Sequence, residues 1–464
     1  MAILIWFRHE LRLHDNPLLE QAATLPGPIY AVHCLCPDQW QKQHHSPIRN
    51  SYQLQRIVAF RHELANHNIP LIVLETPTYD DSETAITQLC QELSIQHLIS
   101  GDEYGLWERI RDQHIQAQLT KTDLRWHQLT TQTCIPPGTL KTASGQPYRV
   151  FTPFSKAWRQ AITQLPPPQR CISTNEYWPE CDQGLTDPQL CRMQSTEINA
   201  WPVTEELVLT HLNQFVQNAV DHYHQKRDFP GISATSRLSP ALLFGVISTR
   251  QAIALLAFKQ EQEGATCWLN ELIWREFYIH LLAQFNSISQ GLAFKEQTRT
   301  IHWDHNSQAE QAWQQGKTGI PIIDAGMRQL NTTGWMHNRV RMLTASFFCK
   351  NLWLDWRRGE QYFMSQLIDG HLASNNGGWQ WSASTGTDSV PYFRVFNPIT
   401  QSRKFDPQGD YIRHWVPELA SLDHRTIHQP SLVQCRELGY PLPIVDLKQS
   451  RAQAIARFAD YTKS

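Results

Sequence analysis

The sequence has no CxxC pair, no apolar run long enough to cross a bilayer, no glycine-rich phosphate loop after its first strand-like segment, and no surplus of charge of either sign. Ten cysteines are scattered at positions 34, 36, 90, 134, 171, 181, 191, 267, 349 and 435, which argues against a disulfide framework or a zinc ribbon. No metal site is expected. A reduced, cytoplasmic setting fits best. No stretch reaches about 18 apolar residues, and the run Ile3 to Phe7 is too short for a signal core and lacks a preceding basic segment. Neither secretion nor a membrane partner is expected. With 41 Lys+Arg against 43 Asp+Glu, the net charge of -2 excludes a polycation, so contact with nucleic acid requires a local basic patch. Charged residues make up only 18% against 41% apolar, the balance of a folded chain. Tryptophan is abundant: 17 Trp outnumber 13 Tyr, and nine of them lie between residues 268 and 381.

At roughly 150 residues per domain, 464 residues suggest two to three domains. Short apolar runs alternate with helical stretches through the first 130 residues, the βαβ rhythm of a parallel sheet. Strands are predicted at Ile3–Phe7, Ile29–Leu35, Leu71–Leu74, Gln96–Ile99 and Leu124–Leu129, with helices near Pro47–His67, Ser82–Ser94 and Leu106–Leu119. A Rossmann-like domain over 1–130 follows. Arg8-His9-Glu10-Leu11-Arg12 stands where GxGxxG would, so no dinucleotide is placed there. Proline accumulates at 166, 167, 168, 179, 188 and 202, and 131–202 reads as an inter-domain connection. Residues 203–464 turn helical: Leu212, Phe215, Val216, Ala219 and Tyr223 keep helical spacing, Ser248 with Gln251 signals a capping box, and Pro240 and Pro321 sit at helix starts. The expected fold class is an α/β Rossmann-like domain with a five-stranded parallel sheet, joined to an all-α domain.

Four segments of the helical region carry candidate chemistry. Thr235, Ser236, Arg237, Leu238 and Ser239 precede the Pro240 helix start and offer hydroxyls, a guanidinium and free N–H groups to an anion; an ordinary serine N-cap reads the same way. Glu271, Trp274, Arg275 and Tyr278 share one face of a helix predicted over 268–285, while Leu269, Ile273 and Phe277 line another. A solvated Glu/Arg pair beside a buried Trp is the plainer account. Between Gly334 and Met342, helical spacing puts Asn338 and Met342 one turn apart, flanked by Arg339 and Arg341. Asp369-Gly370-His371 leads into Asn375 through Trp381, read as a glycine-rich turn with two indole faces, Trp379 and Trp381.

Taken together, Trp6 through Asn16, Thr235 to Ser239, Trp268 to Phe277, Trp335 to Arg339 and Asn375 to Trp381 resemble the class I cyclobutane pyrimidine dimer photolyases of the photolyase/cryptochrome family, along essentially the whole chain. The resemblance implies an FAD domain and light-driven repair of pyrimidine dimers in damaged DNA, with a flipped-out dimer taking an electron from reduced flavin. It implies FAD contacts from Tyr223, Thr235, Ser236, Arg237, Leu238, Ser239 and Trp268, with Gly370 and His371 nearby, an Arg341–Asp369 pair beside the isoalloxazine ring, and Asn375 facing flavin N5. It gives Glu271 the damaged base edges, Trp274 and Trp381 the stacking faces, and Arg275, Tyr278, Asn338, Arg339 and Met342 the pocket. Arg227, Arg339, Arg394 and Gln401 become backbone contacts. Trp303, Trp356 and Trp379 match an electron relay to the flavin. A monomer is expected.

Two departures bear on function. His371 stands where the family commonly has a carboxylate, which bears on flavin potential. Around the antenna pocket, relatives place a His, an Asn and a Lys where this chain has Gln43 (with His44 adjacent), Trp107 before Glu108, and Gln290. The antenna, methenyltetrahydrofolate or another chromophore, is therefore open, and weak folate retention is expected, with Trp107 filling the vacant pocket or stacking on a different chromophore. A (6-4) photolyase would carry two His where Asn338 and Met342 stand. A cryptochrome-type light sensor is the alternative from another class, against which Glu271, Trp274 and Met342 count together. An electron-transfer flavoprotein without DNA is a third reading.

Overall fold

The computed structural model describes residues 2–120, 122–168, 179, 184–259 and 261–462. Cys171, Cys181 and most of the proline-rich stretch before Asp187 lie outside them. The chain forms two compact units, one of Met1–Asp221 with Ser236–Ser289, the other of His222–Thr235 with Gln290–Ser464.

In the first unit five parallel strands, β1 (Ala2–Trp6), β2 (Ile29–Leu35), β3 (Leu71–Glu75), β4 (Ile95–Gly101) and β5 (Arg125–Leu129), lie in the order β3-β2-β1-β4-β5. Central β1 is buried along its whole length, which is why it reads as an unbroken apolar run. At the edge, β5 carries Arg125, His127 and Gln128 with none of its residues buried. The helices Pro47–Ala65, Tyr79–Glu92 and Leu106–Leu119 connect the strands as predicted. Thr78 and Asp81 form a capping box that starts the second of them three residues before the expected position.

The reversal of strand order between β1 and β4 is where such sheets commonly receive a ligand. Here it carries a buried ion cluster. Arg8 donates to both carboxylate oxygens of Asp112 at 2.8 and 2.9 Å, while Glu103 accepts from Arg111 at 2.5 Å and meets His9 at 3.0 Å. Burial alone would raise the Glu103 carboxyl, yet Arg111, His9 and Arg8 hold it well below the usual range. The absence of GxGxxG thus has a structural counterpart. The same N-terminal motif holds the 236–289 segment: Asp15 accepts from the Ser248 hydroxyl at 2.6 Å, and a Cβ on Gly245 (φ 60°) would lie 2.0 Å from the His9 carbonyl oxygen.

The second unit is helical, with Pro321–Thr333, Asn338–Ser346, Trp356–Gln366 and Leu372–Ser382 sharing one core around Trp313, Trp356 and Trp379. Two local readings need correction. Tyr223 does not continue the helix of Leu212, which ends at Asn218; it opens a separate helix, Tyr223–Lys226. Gly377 and Gly378 are not a turn but lie inside Leu372–Ser382, where packing of Ala373, Asn376, Trp379 and Gln380 outweighs poor glycine propensity.

Candidate active site

The helix Glu263–Gln284 buries Trp268, Leu272, Ile273, Glu276, Phe277 and His280, which leaves Glu271, Trp274, Arg275 and Tyr278 half-buried on another face. Glu276 anchors it. Its carboxylate accepts from Cys134 N and Trp158 Nε1, each at 2.6 Å, and burial pushes its pKa up despite those bonds. Trp158 belongs to the helix Phe151–Ile162, whose first residue lies face to face with Trp274, ring centroids 3.7 Å apart and planes 3° from parallel. Arg275 corrects the sequence expectation: its Nη1 and Nη2 donate to the carbonyls of Gln132 (2.8 Å) and Leu242 (3.0 Å), so the guanidinium ties a loop to the end of the Ser239–Leu243 helix rather than facing a substrate.

The 236–239 segment is held by side chains more than by a helix end. Ser236 Oγ accepts from Trp268 Nε1 at 3.3 Å, and its carbonyl accepts from His211 at 2.8 Å. Arg237 takes a left-handed φ of 50°, an uncommon conformation that aims its guanidinium 4.5 Å over Trp201. The following helix, Ser239–Leu243, has five residues and Leu238 as N-cap, so the plainer alternative of a serine N-cap does not hold, and little macrodipole is available. Ser239 is exposed.

In the second unit, Arg341 Nη2 meets both carboxylate oxygens of Asp369 at 2.9 and 3.0 Å, and its Nε donates to Met336 O at 2.8 Å. Asn375 Nδ2 donates to the Glu360 carbonyl at 3.0 Å, leaving the amide oxygen as the end able to accept. A Cβ on Gly378, one turn on, would meet nothing within 4 Å. Gly370 lies against Met364, and His371 Nδ1 is 3.0 Å from Ser374 Oγ. Asn338 is exposed, Met342 half-buried, and Trp381 packs on Phe396. Arg339 pairs with Asp228 at 2.7 Å and lies over Phe405; Arg227 is 3.8 Å from the same carboxylate and lies over Tyr223. Arg394 is exposed and Gln401 and Thr235 half-buried.

Three indoles grade from core to surface. Trp379 and Trp356 are buried, at 2% and 0% exposure, while Trp303 is half-buried beside Trp353. A Cβ on Gly359, one turn after Trp356, would fall 2.1 Å from the Trp379 ring, so only glycine there lets the indole rest on the Trp356–Gln366 helix. The Arg341 guanidinium, the Asp369 carboxylate and the Asn375 amide oxygen are donor and acceptor types that suit the polar edge of a flavin, and space lies open at Gly378, one turn after Asn375.

The family described as "FAD binding domain of DNA photolyase" matches residues 268–460, and "DNA photolyase" matches residues 3–171. The deoxyribodipyrimidine photo-lyase of Vibrio cholerae is 42% identical over 97% of both chains. This chain belongs to the DNA photolyase family. Among solved structures, a class III photolyase from Agrobacterium tumefaciens has TM-score 0.85 and 32% identity, covering 100% of this chain and 98% of that one. A Synechocystis cryptochrome has TM-score 0.86 and 28% identity over 98% of each chain. FAD is thus the cofactor of this photolyase domain.

Glu360 escaped the sequence reading. It occupies the buried stripe of its helix with Trp356, Gly359, Phe363 and Met364, and a carboxylate at such a position was the available signal. Its carboxylate accepts from Asn376 Nδ2 at 2.9 Å, and burial pushes its pKa from the usual 4.5 up to about 7. Because the folded pKa is the higher one, the native state binds the extra proton between pH 4.5 and 7 and loses stability as pH rises through that window. Glu360→Gln keeps an acceptor for Asn376 and removes the buried charge. The variant should melt higher than wild type at pH 8, by up to about 3 kcal/mol, with the gap shrinking toward pH 5. An equal melting temperature at pH 8 would mean that Glu360 is comfortably charged.

At the antenna positions, Gln43 Nε2 and the Tyr79 hydroxyl donate to Glu108 at 2.9 and 2.8 Å. Trp107 is 56% exposed and therefore fills no pocket, contrary to one of the two expectations for it.

Proposed function

We propose that this photolyase repairs cyclobutane pyrimidine dimers in DNA under blue light, as a monomer in the cytoplasm. What carries the reading is Glu271 and Trp274 on one face of an anchored helix, in a chain 42% identical to a deoxyribodipyrimidine photo-lyase over nearly its whole length. When bound, reduced FAD supplies the light-driven electron that opens the dimer. The chain supplies the rest. Ser236, Arg237, Leu238, Ser239, Trp268, Tyr223 and Thr235 hold the cofactor's diphosphate and nucleoside, while Arg341, Asp369, Gly370, His371 and Asn375 hold its polar ring edge. Asn375, its Nδ2 engaged by Glu360, presents its oxygen to flavin N5–H. From the first unit, Trp274 would stack on an extruded pyrimidine, Glu271 hydrogen-bond its edge and Tyr278 stand beside them; from the second, Trp381 would offer a stacking face, with Asn338 and Met342 as further contacts. Unstacking is cheapest at a damaged step, which favours the lesion.

Irradiation of an oligonucleotide bearing one thymine dimer, with the flavin chemically reduced, tests this directly: restored thymines support it, and binding without repair would favour the cryptochrome-type sensor. Arg227, Arg339 and Arg394 would meet the phosphates, with Asp228 offsetting part of that charge. Dimer affinity should therefore fall with salt at a log-log slope of about -1 to -3, one phosphate contributing about -0.9. A flat plot would remove the arginines from the interface. Among the described residues, no helix is long and apolar enough to cross a membrane.

A further inference from the structure

Trp274 is more tightly constrained than a surface indole needs to be. Phe151 covers one face at 3.7 Å and 3°, while Phe277 (5.7 Å, 75°) and Tyr278 (5.6 Å, 34°) close its edges. Near-eclipsed face-to-face stacking is less favourable than an offset or edge-on pair, so something else must hold Phe151 there. The holding is visible. Trp158, seven residues along the same helix, donates to buried Glu276 at 2.6 Å, and Phe154 packs on Phe277 and His280 at 5.1 and 5.0 Å. Glu276, Phe277 and His280 all lie on the helix that carries Trp274. Both stacked rings remain half-buried, so the surface that Trp274 keeps is on the side away from Phe151.

We propose that Phe151 is a positioning residue: it fixes the plane of Trp274 before DNA arrives, and so sets the preference for a dimer over undamaged bases. The inference rests on the stacking role proposed above for Trp274. A fused pyrimidine pair is rigid and cannot adapt to a tilting indole, whereas a preset wall loses no rotamer freedom on binding. Phe151 touches no substrate in this scheme. It forms the back layer of a three-layer stack, Phe151, Trp274 and pyrimidine.

The test measures equilibrium affinity of the FAD-loaded protein for an oligonucleotide with one thymine dimer and for its undamaged counterpart. Phe151→Leu keeps apolar volume but removes the ring; it should weaken dimer binding roughly two- to tenfold and leave undamaged binding and FAD content unchanged. Phe151→Tyr should restore wild-type discrimination. Added to Trp274→Ala, the leucine change should cost nothing more, since the pair acts as a unit. Wild-type dimer affinity in Phe151→Leu, with Trp274→Ala impaired, would overturn the inference and spare the pocket. Wild-type affinity in Trp274→Ala itself would overturn the stacking role as well. Equal losses in Phe151→Leu and Phe151→Tyr, or losses that add to Trp274→Ala, would make Phe151 a packing residue only.

Discussion

Trp379→Phe should slow photoreduction of oxidised flavin by more than about tenfold while repair by chemically reduced enzyme proceeds as before. The indole is buried among ring edges, with Phe363, Phe348 and Trp313 at 4.9, 5.7 and 6.0 Å and steep angles, so phenylalanine fits the cage with a modest void. Chemistry rather than packing makes the difference, because a benzene ring is far harder to oxidise than an indole. Trp379 Nε1 is buried without a hydrogen-bond partner among the described residues. With no protein group there to take its proton among the described residues, an oxidised indole at Trp379 favours passing the hole outward, and half-buried Trp303 is the member of the proposed relay best placed to reach water. Transient absorption on oxidised protein would read the outcome. Photoreduction at the wild-type rate would show that electrons enter by another route, for which edge-on neighbour Trp313 is the first candidate.

Parts of the molecule were legible because local signal and tertiary context agree. β1 to β3 read as apolar runs because they are buried within a parallel sheet, and Leu106–Leu119 emerged with its observed bounds. Elsewhere the two diverge. Glycines 377 and 378 carry a turn signature, yet the helix survives them because its buried side chains supply the stabilisation. Phe151–Ile162 went unassigned although Phe151, Phe154 and Trp158 keep helical spacing; the prolines that follow suggested a connection and obscured it. The candidate site was legible as residue types, but not as partnerships. No spacing rule could send Arg275 to two distant carbonyls, pair Arg339 with Asp228, or set Phe151 on Trp274 across more than a hundred residues.

That last partnership shapes what Trp274→Ala should do. Dimer affinity is expected to fall roughly tenfold or more, as an aromatic stack is worth about 1 to 3 kcal/mol per base, and Glu271→Ala should impair repair alongside it. Both variants should keep FAD, because neither side chain is among those proposed to hold it. Truncation also leaves Phe151 with no ring to position, so the preference for the dimer that remains in Trp274→Ala, carried by Glu271 and the other proposed contacts, should be unchanged when Phe151 is replaced as well. Affinity for undamaged DNA, which phosphate contacts carry, should stay within about twofold of wild type. Parallel titrations of damaged and undamaged oligonucleotides separate the possibilities. Selective loss on the damaged strand places Trp274 against the lesion, whereas equal loss on both strands would place it in the fold and leave the dimer to be recognised by other side chains.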